Sequence, residues 1–149
     1  MITRGIGYLV KEKVMAFMNW NSTFSVNIAD IDNQHKKLVA MINELSEAMK
    51  ARKGNEVMGK IISGLVDYTK THFAAEEAYF AKYGYPETAA HKAEHTKFIN
   101  DINKFKQDFE AGKLSISIDV LKFLSDWLVK HIKGTDQKYS KFLNDKGVS

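Results

Sequence analysis

The stretch from Asn55 to Phe80 reads NEVMGKIISGLVDYTKTHFAAEEAYF, and its apolar positions decide the fold. Met58, Ile61, Leu65 and Tyr68 recur at steps of three or four, the spacing that lines one face of an α-helix. Beyond Tyr68 the same stripe continues through His72, Glu76 and Phe80. A histidine and a carboxylate four residues apart therefore share the apolar face. A buried imidazole needs partners for both nitrogens, and a buried carboxylate is costly unless it is paired or bound to a cation. The helix stops in Tyr83-Gly84-Tyr85-Pro86, where glycine and proline together end it.

Three more amphipathic stretches flank this one. The first, Asp32 to Arg52, places His35, Leu38, Ile42, Leu45 and Met49 on one face, with Gly54 as its expected C-terminal cap. The third starts with Pro86 near its first turn. It carries Ala90 or His91, then His95, Phe98, Ile102, Phe105 and Phe109 inward, and stops at Gly112. The fourth, Ser117 to Leu143, aligns Val120, Leu124, Trp127 or Leu128, His131 and Thr135. With a single proline and short links, the pattern predicts an all-α protein: an antiparallel up-down-up-down four-helix bundle with an N-terminal extended arm. The bundle domain is expected over 19–145, with residues 1–18 as the N-terminal extension.

Composition excludes several chemistries. The chain has no cysteine, which removes disulfides, thiolate-bound zinc, iron–sulfur clusters and a cysteine nucleophile. Its net charge of +4 comes from lysines scattered over every segment, without an arginine-rich block, so no nucleic-acid partner is expected. The apolar patch Ile6 to Val10 is cut short by Lys11, Glu12 and Lys13, and no run approaches the length of a membrane span. A cytoplasmic protein without membrane insertion is the expectation.

All five histidines and two carboxylates form one ordered set: His35, then His72 with Glu76, then His91 with His95, then His131 with Asp136. In each helix the histidines continue the apolar stripe and so face the interior. Neutral imidazoles and bridging carboxylates on four successive helices can ligate a pair of metal ions. A lone histidine on an apolar face is usually a satisfied core residue, but this whole set is hard to obtain by accident. The five-residue step from His131 to Asp136 overshoots a helical turn, and Gly134 between them allows a wide turn that re-aims the aspartate. Glu77 points about 100° away from Glu76 and reads as a solvated charge.

The order His, His-x-x-x-Glu, His-x-x-x-His, His-x-x-x-x-Asp resembles the hemerythrins, and the surrounding sequence is most similar to the prokaryotic bacteriohemerythrins. Matching segments are Trp20-Asn21 to Phe24, Ile31 to Leu38, His72-Phe73 through Glu77, Tyr85-Pro86, His91 to His95 with Phe98, and Trp127 to Tyr139. They cover Trp20 to Phe142, nearly the whole chain. The resemblance places a typical first residue at Met15 or Met18, so residues 1–14 precede the expected start, and Lys11-Glu12 reads as a translated ribosome-binding sequence.

That resemblance implies two iron ions cycling between Fe2+ and Fe3+. One is held by His91, His95 and His131, the other by His35 and His72, with Glu76, Asp136 and an oxo or hydroxo group as bridges. Those ligands fill all but one position of two octahedral ions, and the open position falls on the iron of His35 and His72. Phe73, Trp127, Leu128 and Ile132 are implied as the apolar wall of an oxygen pocket, and Trp20 as a cover over the helix ends. The implied function is reversible, non-catalytic dioxygen binding, for storage or for delivery to an oxygen-using enzyme. Two other classes stand beside it: oxygen or iron sensing, and a diiron peroxidase or nitric-oxide-handling enzyme.

Overall fold

The computed structural model describes residues 17–113 and 116–149, all of them helix, turn or irregular chain. Four helical segments follow one another as an antiparallel bundle, as the periodicity predicts. The first helix spans Ala29–Lys50. The second runs as Gly54–Tyr68, a wider π turn at Thr69–Phe73, and Ala74–Tyr83. The third is Thr88–Glu110. The fourth comprises Ile116–Trp127, a π stretch at Leu128–Thr135, and Gln137–Asp145.

The first helix begins three residues before the expected Asp32 because that aspartate ties down the incoming chain. Its carboxylate accepts the Val26 N–H at 2.8 Å and the Ser25 hydroxyl. Gly54 is not the C-terminal cap of this helix. The reversal is made by Arg52, at φ 60°, and by the Lys53 N–H donating to Ala48 O at 2.6 Å. Gly54 instead opens the second helix, where a Cβ would lie 3.1 Å from Ser117 Oγ and 3.2 Å from Met49 Cγ. Its missing side chain thus lets three helix ends meet closely. Gly84 and Gly112 do end their helices in the left-handed conformation, at φ 67° and 80°.

Two apolar clusters fill the bundle. One gathers Leu38, Ile42, Leu65, Phe98, Leu124 and Leu128 with their neighbours. The other holds Ile28, Ile31, Phe80, Tyr85, Tyr139 and Leu143 at the opposite end. Val148, beyond the expected domain end, is also buried there. The segment before the first helix contains a short 3-10 turn, Ser22–Phe24. It is fastened by reciprocal 2.8 Å bonds between the Met18 backbone and the Asn43 amide, and by the Ser140 hydroxyl donating to Val26 O. The rest of the expected N-terminal arm, residues 1–16, lies outside the described residues. No helix among those described is long and apolar enough to cross a membrane.

Candidate metal centre

Between the two apolar clusters lie seven buried polar residues that the sequence singled out. His35, His72, Glu76, His91, His95, His131 and Asp136 are each at most 2% exposed. Where the third stripe left Ala90 or His91 open, His91 is the inward residue. Two sets of ligand atoms form, each within 4.8 Å: Glu76, His91, His95 and His131 in one, and His35, His72, Glu76 and Asp136 in the other. The partition into three and two histidines is the one the resemblance implies. Glu76 belongs to both sets, and its Oε1 lies 3.0 Å from His95 Nε2 and 3.4 Å from His72 Nε2. Asp136 also reaches both, with Oδ2 3.1 Å from His35 Nε2 and Oδ1 3.0 Å from His91 and His131 Nε2.

The π stretch in the fourth helix puts Asp136 there. Its N–H donates to His131 O, five residues back, at 2.7 Å. Glycine is not what permits this turn, since a Cβ on Gly134 would meet only Val129 O at 3.9 Å.

Outer hydrogen bonds fix which nitrogen faces inward on three of the five rings. His72 Nδ1–H donates to Gln34 Oε1 at 2.7 Å, His95 Nδ1–H to Glu77 Oε2 at 2.9 Å, and His131 Nδ1–H to Glu94 Oε1 at 2.9 Å. Those bonds leave Nε2 a lone pair on three rings, all turned toward carboxylate oxygens. Nε2 of His91, His95 and His131, Oε1 of Glu76 and both oxygens of Asp136 have no hydrogen-bond partner among the described residues. Such converging acceptors repel one another unless a cation lies among them, so the donor set fits bound metal.

Glu77 is therefore not a solvated charge, as its angle from Glu76 predicts; it orients His95. Gln34 and Glu94 were missed for a related reason. Each precedes a histidine in sequence, so it sits about 100° off the stripe and reaches a ring on a neighbouring helix. Tyr139, whose hydroxyl donates to Glu76 Oε2 in a short hydrogen bond, sits in the second apolar cluster and has no pattern of its own. Tyr68 reads as ordinary stripe, yet its buried hydroxyl finds no partner among the described residues.

The charges respond to this crowding. Burial lowers His72 to about 4, against the pull of Glu76. His91 is also opposed by burial, but the carboxylates of Asp136 and Glu76, 3.0 and 3.6 Å from its Nε2, outweigh that and raise it to about 9. His131 is raised in the same way by Asp136 and Glu94. Burial opposes ionisation of Asp136, yet His131, His35 and His91 hold it well below the usual carboxylate range. Burial, then Glu76 and Asp136, push the Tyr68 phenol well up.

Aromatic rings brace two of the buried histidines. Phe73 stacks on His95 with centroids 3.8 Å apart, and Trp127 on His131 at 3.9 Å. Leu128 and Ile132 are fully buried, whereas Trp127 is only partly so. Trp20 packs on Phe24 at 5.6 Å, under the ammonium of Lys36.

The profile of the hemerythrin HHE cation-binding domain matches residues 26–143, every member of the two ligand sets included. The chain belongs to the hemerythrin family. It is 37% identical to the bacteriohemerythrin of Methylococcus capsulatus over 87% of this chain and 99% of that one. The bacteriohemerythrin of Pseudomonas aeruginosa is 37% identical over 84% and 80% of the two chains. The hemerythrin-like protein of Naegleria gruberi is 35% identical over 84% and 92%. Among solved structures, a wild-type hemerythrin superposes with a TM-score of 0.76 at 36% identity, covering 85% of this chain and 97% of that one. The bundle is thus that of a hemerythrin.

Proposed function

We propose that this hemerythrin binds dioxygen reversibly at two non-heme irons, for storage or delivery to an oxygen-using partner in the cytoplasm. The observation that carries the reading is the unequal division of the buried ligands. His91, His95 and His131 would hold one iron and His35 with His72 the other, with Glu76 and Asp136 between them. The paired ferrous ions would supply the electrons for reversible uptake, and the position lacking a third histidine would receive the guest.

This chain's residues do the rest. Gln34, Glu77 and Glu94 hold three imidazoles in the tautomer that turns Nε2 inward. Tyr139 orients Glu76 through its hydroxyl. Phe73, Trp127, Leu128 and Ile132 form an apolar wall that keeps water and protons from the guest, which favours release over oxidation. No catalytic step is assigned to any residue.

The test is anaerobic ferrous loading, metal analysis, and absorption spectra through cycles of oxygen exposure and removal. Two irons per chain and a visible band that comes and goes over several cycles are expected. One metal per chain, a preference for zinc, or failure to regain the ferrous state when oxygen is removed would overturn the reading. The last outcome would point to redox turnover instead.

A further inference from the structure

One layer beside the ligand histidines is not uniformly apolar. Because the helices alternate in direction, the residues one turn toward the same end are Leu38, Tyr68, Phe98 and Leu128. They follow His35 by three, precede His72 by four, follow His95 by three and precede His131 by three. All four belong to a single buried cluster, and three of them are hydrocarbon. Tyr68, 6% exposed, brings a hydroxyl into that layer. Its ring stacks on His72 with centroids 4.9 Å apart and planes 23° apart. Its hydroxyl is shielded from solvent and has no hydrogen-bond partner among the described residues. Leaving a buried hydroxyl unpaired is costly, and a phenylalanine would fill the same space without that cost.

We infer that the Tyr68 hydroxyl is the hydrogen-bond donor to the small guest taken up beside His35 and His72. Guests that accept a hydrogen bond, namely reduced dioxygen species and compact anions, are held; guests that accept poorly are not. A phenol suits the task because it donates one proton in a fixed direction and brings no charge into the pocket. Tyr68 also borders a surface cavity of about 320 Å³ with Gln34, Met41 and His72. The inference rests on the diiron reading, so its test separates the two.

The probe is sodium azide, titrated into the iron-loaded, oxidised wild type and into Tyr68→Phe. Loss of one hydrogen bond to a charged acceptor is expected to weaken azide about tenfold while the iron content stays the same. In the metal-free state the variant should melt at the wild-type temperature or above it, because the deleted hydroxyl had no partner. A readout that needs no variant is the tyrosine Raman doublet of the wild type, which should shift toward a donor phenol when azide binds. Equal azide affinity in the two proteins, or an unmoved doublet, overturns the role of Tyr68 and leaves the diiron reading standing. A metal-free variant that melts several degrees lower also overturns it, since the hydroxyl would then be bonded within the protein. If the loaded wild type takes up neither azide nor dioxygen, the functional reading falls, and this inference falls with it.

Discussion

Glu94 is 44% exposed, yet it aims the buried His131 ring. It accepts the His131 Nδ1–H and, at 3.1 Å, the Thr135 hydroxyl, so one carboxylate joins the third helix to the wide turn of the fourth. Glu94→Gln preserves an acceptor but removes its charge, and iron should be released to a competing chelator about tenfold more readily. Unchanged retention would mean that His131 is held by packing against Trp127 alone. Leu128 acts through bulk rather than polarity. Leu128→Ala should cost about 2–5 kcal/mol in chemical denaturation and shorten the life of the oxygenated form, with two irons still bound. An unaltered decay rate well below the melting temperature would make Leu128 core packing only.

At the scale of the helix, the two wide turns decide which side chains enter the site. In the second helix Tyr68, His72, Glu76 and Phe80 recur every four residues, whereas an α-helix turns every 3.6. Across those three steps a regular helix would drift by about 120° and carry Phe80 to the surface. The π turn at Thr69–Phe73 absorbs the excess, and Phe80 remains buried. That surplus was visible in the spacing itself. In the fourth helix the wide turn was foreseen from the five-residue step, but the role given to Gly134 was not needed. Gly134→Ala should therefore keep metal binding and be neutral or stabilise the fold by up to about 1 kcal/mol. Gly84→Ala should cost about 1 kcal/mol, because its φ of 67° strains any side chain even with open space around it. Denaturant titration of the metal-free proteins distinguishes the pair. A large loss at position 134 would restore the requirement for glycine.

For the whole molecule, the buried histidine layer sets the response of the metal-free protein to pH. His72 takes a proton in the unfolded chain near its usual 6.5 but in the folded chain only near 4. Between those values the unfolded state binds more protons, so stability falls as the medium is acidified. His91 behaves in the opposite sense. Its stabilising charge is fully present below 6.5 and is lost as the pH rises toward about 9. The melting temperature of the metal-free protein should therefore peak near pH 6.5 and decline on both sides, with His131 adding to the alkaline loss. Calorimetry across that range checks it, and a flat profile would show that the ligand layer does not titrate with folding. Removing residues 1–14 should change neither melting temperature nor iron content, because Met18 is already fastened to Asn43. A marked fall in either would make that segment part of the fold.

Periodicity and residue type were enough to predict four helices, their inward faces and the seven ligand candidates. Those features depend on spacing along a single helix, which the order of residues carries directly. Gly54 was misread because its place follows from Met49 and Ser117 converging on it, a contact between segments distant in sequence. Glu77, Glu94 and Gln34 were misjudged or missed because each lies off its own apolar stripe and finds its histidine on another helix. The sequence by itself determined which stripe of each helix turns inward. Only the tertiary structure decided which nitrogen of His72, His95 and His131 faces the centre, since that depends on hydrogen bonds between helices that no spacing records.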